Sequence, residues 1–135
     1  MGARRAVRAF LDASALVKLI HAERESEALV DELASWRRLV SSALGELELW
    51  VVGRRLGVSE TRIRRVVAGL DLVPVTAAVL TRARERQGEP LRTLDAVHLA
   101  SALEVRDGIG AFLAYDRRLC AAAGEAGLDV QSPGA

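Results

Sequence analysis

The sequence predicts an α/β domain, with helices packed around a mostly parallel sheet. Short apolar runs alternate along the chain with segments whose apolar residues recur at helical spacing. Two of those runs, RAVRAFL and GAFLAY, lead directly into an aspartate that opens a helix. The 135 residues fit a single domain, 1–135 with a short tail from about 131, and suffice for a real core. Half the residues are hydrophobic but only 4% are aromatic, so that core is aliphatic.

The elements follow in order. Residues 5 to 11 read as a first strand, and DASALVKLIHAE as a helix with Asp12 at its N-cap. SEALVDELASW is a second helix by its apolar spacing. Residues 38 to 43 form a short strand, followed by a helix over about 45 to 56 that Gly57 ends. Ser59 caps SETRIRRVVAGL. DLVPV is a strand, and Pro74 puts it at a sheet edge or marks its end. TAAVLTRARERQG is a helix stopped by Gly88 and Pro90, and Thr93 caps the helix TLDAVHLASAL. GAFLAY, 110 to 115, is a strand, DRRLCAAAGEAG a helix that Gly127 ends, and LDV a last short strand.

Net charge is only +1, so the domain is not broadly basic. Lys18 is the sole lysine, and the arginines cluster, for example Arg62, Arg64 and Arg65, or Arg82, Arg84 and Arg86. Such clusters are solvated helix faces or bidentate phosphate contacts. One cysteine, Cys120, excludes an internal disulfide and fits a reducing compartment, so a cytoplasmic location is expected. No apolar run approaches the ~20 residues of a membrane helix, so no membrane association is expected. Asp12 and Lys18 interrupt the apolar start and no small-residue cleavage site follows, so it reads as mature protein.

In an open parallel sheet, ligands bind beyond the carboxyl ends of the strands. Asp12 and Asp116 fall there. Each alone is explained as a helix cap; together they share one sheet edge if their strands are neighbours. Asp95 lies in the first turn of its helix, among apolar neighbours. A lone carboxylate there is costly unless neutralised, paired or bound to a cation. SSALGELELW adds Glu46 and Glu48, which point to nearly opposite sides of a helix. Glu48 shares an arc with Leu44, Leu47, Val51 and Val52, and Glu46 lies nearer Trp50 and Gly53, a weak preference for Glu48 on geometry alone. Carboxylates converging on one cleft repel each other, and Mg²⁺ or Mn²⁺ removes the conflict.

FLDASALVKL, VSSALGELEL, LRTLDAVHLASAL and LAYDRRL resemble the four acidic motifs of PIN-domain ribonucleases, most closely the VapC branch, toxins of bacterial type II toxin–antitoxin pairs. The resemblance runs from about residue 8 to 130. It implies a PIN-like sandwich and a Mg²⁺- or Mn²⁺-dependent endoribonuclease that cleaves RNA, is neutralised by a cognate antitoxin and forms a homodimer. Residue by residue, Asp12 matches the first acid, Glu48 the second, Asp95 the third and Asp116 the fourth. Glu46 sits where this branch often has a basic or neutral residue. Ser14 matches a small hydroxyl residue that supports the first acid. In such a site the carboxylate-held cation activates water for attack on the scissile phosphate. Arg92 and Arg117 are the arginines best placed to hold the RNA backbone. His98, one turn after Asp95, reads as a hydrogen-bonded core or interface residue outside the catalytic set, and Cys120 as core.

Other readings remain. GRRLGVSETRIRRVVAGL, 53 to 70, has the pattern of a helix-turn-helix, which would make the chain a DNA-binding regulator but leave Asp12, Asp95 and Asp116 unexplained. In resembling toxins this region helps receive the antitoxin, and Leu56, Val58, Ile63, Val66 and Val67 are candidates for apolar contacts with it. A non-catalytic PIN-like binding module and a hydrolase of small phosphate esters complete the set.

Overall fold

The structure is a computed structural model that describes residues 8–88 and 90–135. Five strands form one sheet: β1 (Arg8–Leu11), β2 (Arg38–Ser42), β3 (Leu70–Val73), β4 (Ile109–Leu113) and β5 (Val130–Gln131). Their order is β3-β2-β1-β4-β5, and all four pairings are parallel. Residues 5 to 7 of the expected first strand lie outside the described residues. The helices are α1 (Ala13–Ile20), α2 (Ser26–Leu33), α3 (Ala43–Arg55), α4 (Glu60–Ala68), α5 (Ala77–Glu85), α6 (Thr93–Glu104) and α7 (Arg117–Glu125).

Side-chain alternation along the two central strands builds two core layers. Ala9 and Leu11 of β1, with Ala111 and Leu113 of β4, face α1 to α4 and pack with Leu16, Ile20, Leu29, Leu49 and Ile63. Phe10 and Phe112, adjacent in register, stack on the other face with ring centroids 5.5 Å apart. They pack with Leu99 and Ala102 of α6 and Leu119 and Ala122 of α7. α5 lies against α6 through Val79, Val97 and Ala100. Both faces of the sheet are covered by helices, as a parallel sheet requires.

The predicted punctuation is largely in place. Ser42, Ser59 and Thr76 cap α3, α4 and α5 through their side chains. Gly57 and Gly127 follow α3 and α7 with φ of 75° and 92°, a conformation that suits glycine. β3 is an edge strand and Pro74 comes just after it, which meets both alternatives for that proline. Thr93 departs from expectation. The first bond of α6 runs from Ala96 N–H to the Arg92 carbonyl at 2.9 Å, so Arg92 is the cap and Thr93 the first helical residue. The final strand also falls later than expected, at 130–131.

The 53 to 70 stretch is a helical hairpin bound into the domain. Ile63 is fully buried, and Val58, Val66 and Val67 pack against the same core. At Gly53 any Cβ would lie 2.5 Å from Ile63 Cδ1, so α3 and α4 meet at close range. Ile63 is therefore not available to a partner, contrary to expectation, whereas Leu56 remains 42% exposed. The C-terminal tail is seated on the domain: Tyr115 Oη donates to the Pro133 carbonyl at 2.8 Å, and Gly134 lies against Glu25 and Ala28 at the start of α2.

Candidate active site

β1 and β4 run side by side with Leu11 opposite Leu113, so their ends deliver Asp12 and Asp116 to the same edge of the sheet. The sheet order reverses at β1, and crevices at such switch points are where parallel sheets bind ligands. Each aspartate caps the helix that follows. Asp12 Oδ1 accepts the Ala15 N–H at 3.0 Å, and Asp116 Oδ1 accepts the Leu119 N–H at 2.9 Å. The two environments differ: Asp12 is buried and Asp116 is exposed.

Ser14 Oγ donates to Asp12 Oδ1 at 2.6 Å and accepts the Tyr115 backbone N–H at 3.1 Å. Both hydrogen bonds to Asp12 thus arrive at Oδ1, and among the described residues Oδ2 accepts none. Burial pushes the Asp12 carboxyl up to about 6. The bonds from Ser14 and Ala15 and the attraction of His98 oppose that rise, and the charge of Asp95 adds to it.

Asp95, in the first turn of α6, is half-buried. Burial raises its pKa first, and the negative charges of Asp116 and Glu48 raise it further, with His98 and Arg92 pulling the other way. Asp12, Asp116 and Glu48 therefore each lie within electrostatic reach of Asp95.

The two glutamates of α3 go separate ways. Glu48 pairs through Oε1 with Nε2 of His98 on α6. Glu46 Oε2 accepts from Trp50 Nε1 at 3.3 Å, and the Arg64 guanidinium lies 5.7 Å above that indole. Glu48 thus faces the other acids and Glu46 is engaged elsewhere. His98 is 1% exposed, and its Nδ1 has no hydrogen-bond partner among the described residues. Sequence reasoning left it outside the site; the available signal was its position three residues after Asp95, on nearly the same helix face.

Arg92 and Arg117 stand exposed at the starts of α6 and α7, next to Thr93 and Asp116 respectively. Cys120 is half-buried and bonds the Ala114 carbonyl through Sγ at 3.4 Å, and burial pushes its thiol up. A thiol held protonated is a poor nucleophile.

As placed, no three histidine, cysteine or carboxylate side chains among the described residues close around a single point. The chemistry of the donor set still suits a hard divalent cation. It is all carboxylate oxygen, it carries repulsion centred on Asp95, and among the described residues Asp12 Oδ2 accepts no hydrogen bond.

Residues 9–125 match the family described as PIN domain. The chain is 37% identical over 136 aligned residues to Ribonuclease VapC47 of Mycobacterium tuberculosis, covering 93% of this chain and 97% of that one. It is 40% identical over 125 residues to Ribonuclease VapC46 of the same species, covering 92% and 96%. The fold is similar to a crystal structure of Mycobacterium tuberculosis VapC20, described as a sarcin-ricin loop cleaving toxin. That match has a TM-score of 0.72 at 20% identity over 93% of this chain and 99% of the other. A toxin–antitoxin complex from Klebsiella pneumoniae matches at a TM-score of 0.66 and 22% identity, over 80% of this chain and 86% of the other. At those identities the two structures speak to the fold.

Proposed function

The chain belongs to the PIN-domain family, in its VapC ribonuclease branch, and from that premise we propose that it is an endoribonuclease toxin held silent by an antitoxin. The observation that supports the reading is that Asp12 and Asp116 end neighbouring strands at one sheet edge, with the charge of Asp95 acting on Asp12 and those of Asp116 and Glu48 acting on Asp95. A DNA-binding regulator gains no support from the family match, which takes residues 53 to 70 into the PIN domain.

Asp12, Glu48, Asp95 and Asp116 would hold Mg²⁺ or Mn²⁺. When bound, the cation supplies an easily deprotonated water and offsets charge on the phosphate oxygens. Ser14 and the Ala15 N–H hold Asp12 Oδ1, which would leave Oδ2 for the cation. Arg92 and Arg117 bind the RNA backbone from the starts of two helices, whose N–H groups also favour anions. The antitoxin would lie in the groove of about 650 Å³ lined by Lys18, Leu19, Ser26, Val30 and Arg62, where aliphatic and charged groups alternate. Exposed Leu47 and Val51, one turn apart on α3, provide apolar surface for a second copy in a homodimer.

The purified chain incubated with total RNA and structured transfer RNA tests the reading. Cleavage should require Mg²⁺ or Mn²⁺, stop with EDTA and be lost in a folded Asp95→Asn variant. Cleavage that persists in Asp95→Asn would place the chemistry elsewhere.

A further inference from the structure

The four acids are not held alike. Asp12 and Asp116 are short and each is fixed by a backbone N–H of its own helix. Asp95 is short and set in the first turn of α6. Glu48 has one more methylene, sits mid-helix with its side chain 26% exposed, and receives no backbone bond among the described residues. A free glutamate rotates about three bonds, and fixing it costs side-chain entropy. Its anchor is the Nε2 of His98, on a different helix.

His98 is built to be immobile. It is buried at 1% exposure, between Val97 and Leu99 on a helix packed against both α5 and the sheet. The layers meet closely beside it: a Cβ at Gly45, one helical turn before Leu49 on α3, would lie 3.5 Å from His98 Cε1 and 3.4 Å from Leu16 Cδ1. An imidazole has few rotamers, and here its Nε2 is aimed at Glu48, the longest of the four acids and one that accepts no backbone hydrogen bond among the described residues. Its other polar atom, Nδ1, is buried without a partner among the described residues. Such a group is costly to bury, and packing alone would be better served by leucine or phenylalanine. The carboxylate bond is what the histidine contributes.

We propose that His98 is a positioning residue: by donating from Nε2 it holds the Glu48 carboxylate towards the cleft and so sets the affinity of the site for its divalent cation. The inference rests on the proposed metal site, and its logic is that of outer-shell hydrogen bonds, whose loss typically costs 10–100-fold in metal affinity.

The test is Mn²⁺ titration of the whole RNA-free protein by calorimetry, with chemical denaturation alongside. Glutamine places an N–H donor the same number of bonds from Cβ as Nε2, so His98→Gln should bind Mn²⁺ within a few-fold of wild type. His98→Leu and His98→Asn, the one lacking a donor and the other too short, should bind about 10–100-fold more weakly. In a Glu48→Gln background the three substitutions should become equivalent. A merely structural histidine would lower stability in all variants and leave Mn²⁺ affinity unchanged, which would overturn the proposal. An unchanged penalty in the Glu48→Gln background would overturn it too. Should His98→Leu not fold, the comparison of His98→Gln with His98→Asn decides. Wild-type protein that binds no Mn²⁺ would instead overturn the metal reading, and with it this inference.

Discussion

Asp12 and Tyr115, far apart in the chain, are joined by a single hydroxyl: Ser14 Oγ donates to the Asp12 carboxylate at 2.6 Å and accepts the Tyr115 N–H at 3.1 Å. Ser14→Ala leaves a partly buried N–H unpaired and releases one bond on Asp12. Stability should fall by about 1–2 kcal/mol. RNA cleavage should fall about tenfold or more, because the Ala15 N–H alone then orients the Asp12 carboxylate. Urea denaturation and a cleavage time course check both, and activity at the wild-type level would remove Ser14 from the site.

The cation-free protein should be less stable at neutral than at mildly acidic pH on account of Asp12. Its folded pKa, about 6, lies above the ordinary value of 3.8, so the fold favours the protonated acid. The unfolded chain gives up this proton first as pH rises. The contribution is therefore favourable below about pH 4 and is lost as pH climbs through 6, a swing of about 3 kcal/mol. Asp12→Asn keeps the oxygen that Ser14 and Ala15 bond but carries no charge. In EDTA it should be more stable than wild type at pH 7.5 by about 1–3 kcal/mol, converging with it near pH 4, while cleaving no RNA. Denaturation at several pH values decides, and an Asp12→Asn variant less stable throughout would contradict the account.

Divalent cations should act on the same conflict from the other side. Saturating Mn²⁺ should raise the Tm of wild type by several degrees, since a ligand at 100 times its Kd adds about 2.7 kcal/mol. Asp12→Asn and Asp95→Asn should respond much less. Equal shifts in all three proteins would mean that the ion binds elsewhere.

Gly45→Ala should destabilise, although alanine is ordinarily the better helix former by about 1 kcal/mol. The new Cβ would lie 2.6 Å from Ser41 Oγ, whose hydroxyl donates to the Leu11 carbonyl at 2.6 Å, immediately before Asp12. A loss of about 1–3 kcal/mol is expected from overpacking. Adding Ser41→Ala should recover part of it, and the double-mutant cycle measures how much.

Arg92→Ala and Arg117→Ala should leave stability within about 0.5 kcal/mol of wild type, since both side chains are exposed. RNA cleavage should show a raised KM and a weaker dependence on salt. A change in kcat alone would point away from backbone binding.

Much of this molecule is readable from its residues because the signals are local. Asp12, Ser59 and Asp116 are capping side chains that sequence alone identifies, and Gly57 and Gly127 mark helix ends. The position of the cap at Arg92 was hidden, because threonine is intrinsically the better cap and the helix register is set by packing. Ile63 reads equally well as a core or a contact residue; only the close approach of α4 to Gly53 decides it. The separation of Glu46 from Glu48 is only faintly legible in the helix geometry. α3 is apolar nearly all round, so the distinguishing partners, Trp50 for one and His98 for the other, emerge only when helices distant in sequence are brought together.

The bond between Ser14 and Tyr115 spans 101 positions, and β1 has β4 as one of its two neighbours. An interrupted translation product that stops before residue 109 has no β4 to pair with β1, no Tyr115 to engage Ser14 and no Asp116. Contacts this remote in sequence also form late and slowly. In a family of ribonucleases, the strand pairing that brings Asp12 and Asp116 to one sheet edge is thereby postponed until synthesis is nearly finished.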